Sequence, residues 1–361
     1  MHYDILCKII DNFGDIGVCW RLARQLVNEH HIQVRLFIDD FAVASKIIPH
    51  LDVAKSAQLI ENVEICTWPT ATTQPAEVVI ETFACGLPDA YLQQMVTNKS
   101  RWINLDYLSA EDWVSDFHAK PSPHPVHPIT KYYFFPGFSE KTGGLVREKN
   151  LMAQRDAFQS SASQQADFWQ KLGIQPIANA TKISLFCYAQ ADLAGLFSAL
   201  NLHNKPVQLL VPNNSLIADF IRNIGNLASH IQLCPLPFLS QTDYDKLLWA
   251  CDLNFVRGED SWIRAIWAAK PFIWQPYIQT ENTHLVKLEA FINLYYQDYE
   301  QKEMVWEAHR YWLAGHGFER VLKNYLNALP NTTLFTRQKS AQLAAQTDLA
   351  SSLVAFANSK T

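Results

Sequence analysis

His2-Tyr3-Asp4-Ile5-Leu6-Cys7-Lys8-Ile9-Ile10 runs into Asp11-Asn12-Phe13-Gly14-Asp15-Ile16-Gly17, and this junction decides the fold. The apolar run His2–Ile10 predicts a buried strand, with Ile5–Ile10 as its core. Beyond the turn, Val18, Leu22, Leu26 and Val27 repeat at helical spacing as far as Glu29. A glycine-bearing turn between a first strand and a first helix is where doubly wound proteins bind phosphate. Gly14 and Gly17 are present, but the full dinucleotide fingerprint is absent. Two carboxylates, Asp11 and Asp15, occupy the turn, where they would repel a phosphate. The local field suits a cation or a proton acceptor better than a pyrophosphate.

Outward from this turn, strand and helix patterns alternate. Strands are predicted at 33–38, 63–67, 78–81 and 101–105, with helices at 18–29, 41–48 and 89–96. Such alternation implies a mostly parallel sheet covered on both faces. Pro121, Pro123, Pro125 and Pro128 then interrupt the pattern. The aromatic run Tyr132-Tyr133-Phe134-Phe135 reads as a buried strand leading to a surface loop, with a loop over the cleft or acceptor surface as the competing reading. After a helix and linker over 151–178, alternation restarts, with strands at 182–188, 207–211, 230–235, 253–256 and 271–274. Helices are predicted at 192–200, 215–224, 243–250, 261–269 and 283–296. One or two more follow over 303–328, and a last one over 338–357, beyond the turn-prone Pro330-Asn331-Thr332-Thr333. The fold class is therefore α/β, with two doubly wound domains and ligands beyond the carboxyl ends of the strands.

The second domain has its own strand–helix turn, Val256-Arg257-Gly258-Glu259-Asp260-Ser261. Asp260 or Ser261 is a suitable N-cap, and a helix N-terminus holds phosphate. Arg257 adds a fork of donors, Gly258 permits close backbone approach, and Glu259 can accept hydrogen bonds from sugar hydroxyls. A capped helix with a surface Arg257–Glu259 ion pair is the alternative. Phe186 and Tyr188 end one neighbouring strand, while Phe238 and Gln241 follow another. A ring there can stack on a base and an amide can read its edge, or each ring can simply fill the core. Asp243-Tyr244-Asp245 has the spacing of a metal-bound diphosphate site, but at a helix start it reads as capping.

Composition narrows the function classes. A length of 361 residues exceeds what one core ordinarily supports, and 48% hydrophobic against 18% charged residues argues against disorder. A net charge of −5 weighs against nucleic acid as partner. The seven cysteines are scattered without a C-x-x-C pair, so neither a disulfide framework nor a zinc site is expected, and a reducing cytoplasm fits. The twelve histidines form no H-x-x-x-H pattern. No signal peptide and no apolar run of membrane-spanning length is read, so no membrane association is expected.

Asp11–Gly17 followed by Cys19-Trp20-Arg21-Leu22-Ala23-Arg24 resembles the bacterial protein-arginine rhamnosyltransferases of the EarP family. So do Asn104-Leu105-Asp106-Tyr107-Leu108-Ser109-Ala110-Glu111-Asp112-Trp113, Phe135-Pro136-Gly137-Phe138, Lys141-Thr142-Gly143-Gly144-Leu145 and Arg257–Ser261. These motifs keep the family's order over nearly the whole chain. The resemblance implies a GT-B glycosyltransferase with two Rossmann-like domains facing across a cleft. An acceptor-side domain would span 1–178, joined by a C-terminal helix at 345–361, and a nucleotide-sugar domain would span 179–344. It further implies transfer of L-rhamnose from dTDP-β-L-rhamnose to an arginine of translation elongation factor P, with inversion and no metal or other cofactor.

A free guanidinium is protonated and a poor nucleophile, so one carboxylate must orient it and one must help remove a proton. Asp15, nearer the helix, is the expected general base, and Asp11 is expected to hold the acceptor. Asn12, Phe13, Gly14 and Gly17 complete that turn as candidate substrate-binding residues. By resemblance, Phe186, Tyr188, Phe238, Gln241, Arg257, Gly258, Glu259, Asp260 and Ser261 form the donor pocket. Among these, loss of Glu259 should hurt turnover most, which places it with the catalytic group. Another nucleotide-sugar or acceptor, or a non-catalytic nucleotide-sugar binder, are the competing functions.

Overall fold

The structure, a computed structural model, describes residues 1–11, 13–213, 220 and 227–359. Asn12 and most of the helix predicted at 215–224 lie outside the described residues. The chain divides into two compact units, Met1–Lys149 with Leu343–Thr361, and Asn150–Gln342. The division falls near 150, earlier than the expected 178. The two helices of the intervening segment, Leu151–Ser160 and Ala162–Lys171, belong to the second unit for a physical reason. Arg155 Nη1 donates to the Trp267 carbonyl at 2.9 Å, Gln159 Nε2 donates to the Ala268 carbonyl at 3.0 Å, and Phe158 meets Trp249 at 5.8 Å between rings.

The first unit contains β1 (His2–Cys7), β2 (Gln33–Ile38), β3 (Ala57–Ile60), β4 (Val63–Thr67), β5 (Val78–Thr82), β6 (Arg101–Leu105), β7 (Pro121–Pro123) and β8 (Thr130–Phe134). Among the described residues these form one sheet in the order β3-β4-β2-β1-β5-β6-β8-β7. Only the β3–β4 and β7–β8 edge pairs are antiparallel. The strand order reverses between β1 and β5, so the crevice of this sheet lies where both strands end. The aromatic run is β8, a strand as expected, and its Tyr132 and Tyr133 are only half-buried.

The C-terminal elements depart from expectation. One helix, Glu319–Ala344, runs straight through Pro330-Asn331-Thr332-Thr333. The hydroxyls of Thr332 and Thr333 donate back to the carbonyls of Ala328 and Leu329, so these residues serve the helix instead of a turn. The break comes later, where Asp348 accepts from the Ser351 amide at 3.0 Å and starts the helix Leu349–Ser359. Leu349, Ala350, Leu353 and Ala357 of that helix are buried in the core of the first unit. The run Gly143-Gly144-Leu145 receives it: a Cβ on Gly144 would lie 2.2 Å from the Thr347 carbonyl, and the Leu349 amide donates to Leu145.

The second unit contains β9 (Thr181–Leu185), β10 (Val207–Pro212), β11 (Ile231–Leu236), β12 (Leu253–Arg257) and β13 (Phe272–Gln275). They form an all-parallel sheet in the order β11-β10-β9-β12-β13. Its reversal lies between β9 and β12, the equivalent of β1 and β5. Ser184 on β9 donates to Asn254 on β12 at 2.6 Å, both fully buried, and fixes the two strands in register there.

Candidate active-site residues

The first sheet stops short of its expected length because of Asp15. β1 ends at Cys7, and Ile10 is 61% exposed. The chain leaves the sheet to wrap around the Asp15 carboxylate. Asp15 Oδ2 accepts from the amides of Ile10 at 2.8 Å and Asp11 at 2.9 Å. Asp15 is 2% exposed and stands in the first turn of the helix Gly14–His30, where the helix dipole favours a negative charge. With Oδ2 committed to two amides, Oδ1 is the oxygen that can act on a ligand. It accepts from the Tyr107 hydroxyl at 3.3 Å.

Asp11 is half-buried and its carboxylate folds over Gly14. A Cβ on Gly14 would lie 2.9 Å from Asp11 Oδ2, and the Gly14 amide donates to the Asp11 carbonyl at 2.7 Å. The absence of a side chain at Gly14 thus fixes where the Asp11 carboxylate can go. Phe13 precedes the helix without a capping side-chain bond, and Gly17 is buried within it, its amide donating to the Phe13 carbonyl. The structure therefore brings Asp11, Gly14 and Asp15 together and gives Gly17 a packing position.

Sequence reasoning missed the wall opposite. Phe83 and Ala84 follow β5 with φ of 56° and 50°, a region costing non-glycine residues roughly 1–3 kcal/mol each. The strain sits at the switch point. It lays the Phe83 ring flat on Tyr107, with centroids 4.2 Å apart and planes 11° off parallel. Tyr107 follows β6, and its amide is held by Asp106, which also accepts from Asn104. The family-like run Asn104–Trp113 contains Tyr107, but only the sheet order places its hydroxyl on Asp15.

In the second unit, β9 and β12 end side by side. The Phe186 amide donates to the Phe255 carbonyl at 3.1 Å. Arg257 turns towards β9: Nη1 donates to the Cys187 carbonyl at 2.9 Å, and the guanidinium lies 4.8 Å over the Tyr188 ring. Gln275 at the end of β13, also absent from the sequence reading, accepts from the Tyr188 amide at 2.8 Å. Gly258 has a φ of 61°. The expected N-cap is corrected: the helix Asp260–Ala268 starts one residue earlier, with Glu259 at the cap position and no side-chain capping bond. Ser261 instead closes the turn, its hydroxyl bonded to both the amide and the carbonyl of Arg257.

Phe186 is half-buried with its ring edge-on to Tyr244, whereas Phe238 is 57% exposed. Gln241 opens the helix Gln241–Ala250, which Ser240 caps. Asp243 pairs with Lys171 at 2.7 Å, and buried Asp245 holds Arg264 through both oxygens, so the D-x-D aspartates make ion pairs and the expected capping falls to Ser240. Among the described residues no group of three His, Cys, Asp or Glu side chains could hold a metal ion. Burial pushes the Cys187 thiol up to about 12. A hydrogen bond to Cys19 together with burial raises Cys7 well above the ordinary thiol range, so neither is a ready nucleophile. No helix among the described residues is long and apolar enough to cross a membrane.

Comparison with known proteins agrees along the whole length. The family model for the elongation-factor P (EF-P) rhamnosyltransferase EarP matches residues 3–358. A protein-arginine rhamnosyltransferase of Pseudomonas putida is 42% identical over 372 residues, covering 98% of this chain and 98% of that protein. One from Neisseria meningitidis is 37% identical over 304 residues, covering 80% of this chain and 77% of its own. A solved structure described as the basis for EarP-mediated arginine glycosylation of translation elongation factor EF-P aligns with a TM-score of 0.70 at 31% identity, over 100% of this chain and 99% of that one. The glycosyltransferase VinC in complex with dTDP aligns with a TM-score of 0.54 at 11% identity over 99% and 100% of the two chains, a likeness of fold alone.

Proposed function

Because the chain belongs to the EarP family of EF-P rhamnosyltransferases, GT-B glycosyltransferases that act on arginine, we propose that it transfers L-rhamnose from dTDP-β-L-rhamnose to an arginine side chain of EF-P. The reaction inverts the anomeric carbon, proceeds without a metal ion or other cofactor, and belongs to the cytoplasm. The observation that carries this reading is the buried Asp15 carboxylate, tied by one oxygen to two amides and presenting the other beside Tyr107.

The chemistry follows from these residues. Asp11 draws in the guanidinium by charge, and Asp15 Oδ1 takes a proton from the attacking nitrogen. As the C–N bond forms at the anomeric carbon, its bond to the diphosphate oxygen breaks and dTDP departs with the electron pair. Tyr107 keeps the Asp15 oxygen in one orientation. On the second unit, Phe238 and Phe186 supply rings for thymine and Gln241 an amide for its edge. The N-terminus of the helix that starts at Asp260, with Arg257 alongside, stabilises charge developing on the diphosphate. Glu259 accepts hydrogen bonds from the sugar hydroxyls, with Tyr188 and Gly258 shaping the floor.

The test is mass spectrometry of EF-P incubated with this protein and dTDP-β-L-rhamnose. One deoxyhexose on a single arginine is expected. Unmodified EF-P, or an equal gain from a UDP-sugar, sinks the donor and acceptor assignment.

A further inference from the structure

The first unit exposes an aromatic surface that its core does not use. Trp113 is 43% exposed and Phe117 55% exposed, both on the short helix Trp113–Phe117. Their rings meet edge to face at 5.9 Å. Trp113 also stands edge-on to Phe135 at 5.4 Å, and Phe135 stacks with Tyr133 at 6.1 Å. Phe135 is buried, so it is the base on which the exposed pair rests. Asp112 and Asp116, both exposed, flank the pair, and Glu111 is tied back to the Ser109 hydroxyl. Of the nearby lysines, Lys131 is turned inward to Glu81 and the Trp102 ring, while Lys120, whose amide donates to the Phe117 carbonyl, is exposed.

The sheet order places this patch. Asp11 and Asp15 follow β1, Phe83 follows β5, Tyr107 follows β6 and Phe135 follows β8, all at the carboxyl edge of consecutive parallel strands. Strands lie about 4.8 Å apart, so β1 and β8 are about 14 Å apart across that edge. A folded acceptor that presents an arginine to Asp15 spans such a distance with neighbouring residues. The two large exposed rings suit a protein contact, since aromatic anchors dominate interface energy. The flanking carboxylates suit a partner whose presented loop is positive, as a loop ending in arginine is.

We propose that Trp113 and Phe117, flanked by Asp112 and Asp116, are the surface on which the protein acceptor docks. The assignment rests on EF-P being the acceptor. It makes the aromatic pair a determinant of acceptor affinity with no part in donor binding or in the chemistry.

The experiment measures EF-P affinity by calorimetry for wild type, Trp113→Ala, Phe117→Ser and the double variant Asp112→Lys/Asp116→Lys, with dTDP affinity as control. Each ring variant should weaken EF-P binding about tenfold and leave dTDP affinity unchanged. The charge-reversed protein should bind EF-P more weakly and lose much of the salt dependence seen in wild type. Phe117→Ser and the charge reversal alter exposed positions, so they keep the test decisive if Trp113→Ala fails to fold. If wild type modifies EF-P while all variants bind it within twofold of wild type, the docking surface is elsewhere. If the ring variants instead split a wild-type dimer and leave EF-P affinity intact, the patch is a self-contact and the proposal is overturned. Wild type that neither binds nor modifies EF-P removes the acceptor reading, and this surface assignment with it.

Discussion

The turn after β1 and the turn after β12 occupy the same place in two doubly wound sheets, yet their side chains are used differently. Each follows an inner strand beside the switch point and opens a helix. After β12, Glu259 stands at the cap position without a side-chain capping bond, and Arg257 lies over Tyr188. On the proposed reading that is the place of the diphosphate. After β1 the loop ahead of the helix wraps around a carboxylate from the helix's first turn: Asp15 gathers the Ile10 and Asp11 amides. The same geometry, filled from within, becomes a place for a cation and a proton acceptor. On the proposed reading, one fold position supports two chemistries, an acceptor and base site around Asp15 and a diphosphate site beside Arg257.

The largest effect should come from removing the charge that makes the first turn different. Asp15→Asn retains a carbonyl oxygen for the two amides but cannot take a proton. Transfer should fall by about 10²–10⁴-fold with dTDP affinity unchanged by calorimetry. Transfer at the wild-type rate would mean that Asp15 is only the structural tie for Ile10 and Asp11. The donor side should respond differently. Phe238→Ala removes an exposed ring that has little to do in the core, so stability should hold while dTDP affinity drops by about 1–3 kcal/mol. An unchanged dissociation constant would take Phe238 out of the base pocket. The smallest effect tests the geometry of the acceptor turn. Gly14→Ala places a methyl 2.9 Å from Asp11 Oδ2, and that flexible carboxylate must move. The Michaelis constant for EF-P should rise several-fold with the melting temperature nearly constant. A loss of stability without any change in that constant would show that the backbone, not Asp11, had yielded.

Much of this was legible in the chain. Apolar runs and helical spacing gave both doubly wound patterns, and Asp11, Asp15 and the Arg257–Ser261 turn could be singled out because charged residues and glycines stand together at strand–helix junctions. The errors have physical reasons. The last residues expected in β1 leave the sheet because the Asp15 carboxylate competes successfully for their amides. Pro330 fails to break a helix because threonine hydroxyls and tertiary burial hold the surrounding turns. Ser261 closes its turn instead of capping the helix.

What the sequence determined by itself is what depends on near neighbours: periodicity, turn chemistry, and the sign of the charge placed at each helix start. The tertiary structure alone decided which distant groups meet. Phe83, Tyr107 and Gln275 carry no local signal, because their partners Asp15 and Tyr188 are brought to them by strand order and register. The same is true of Trp113 and Phe117. Their exposure is decided by tertiary packing, in which Trp113 rests edge-on against buried Phe135 and Phe117 against Trp113.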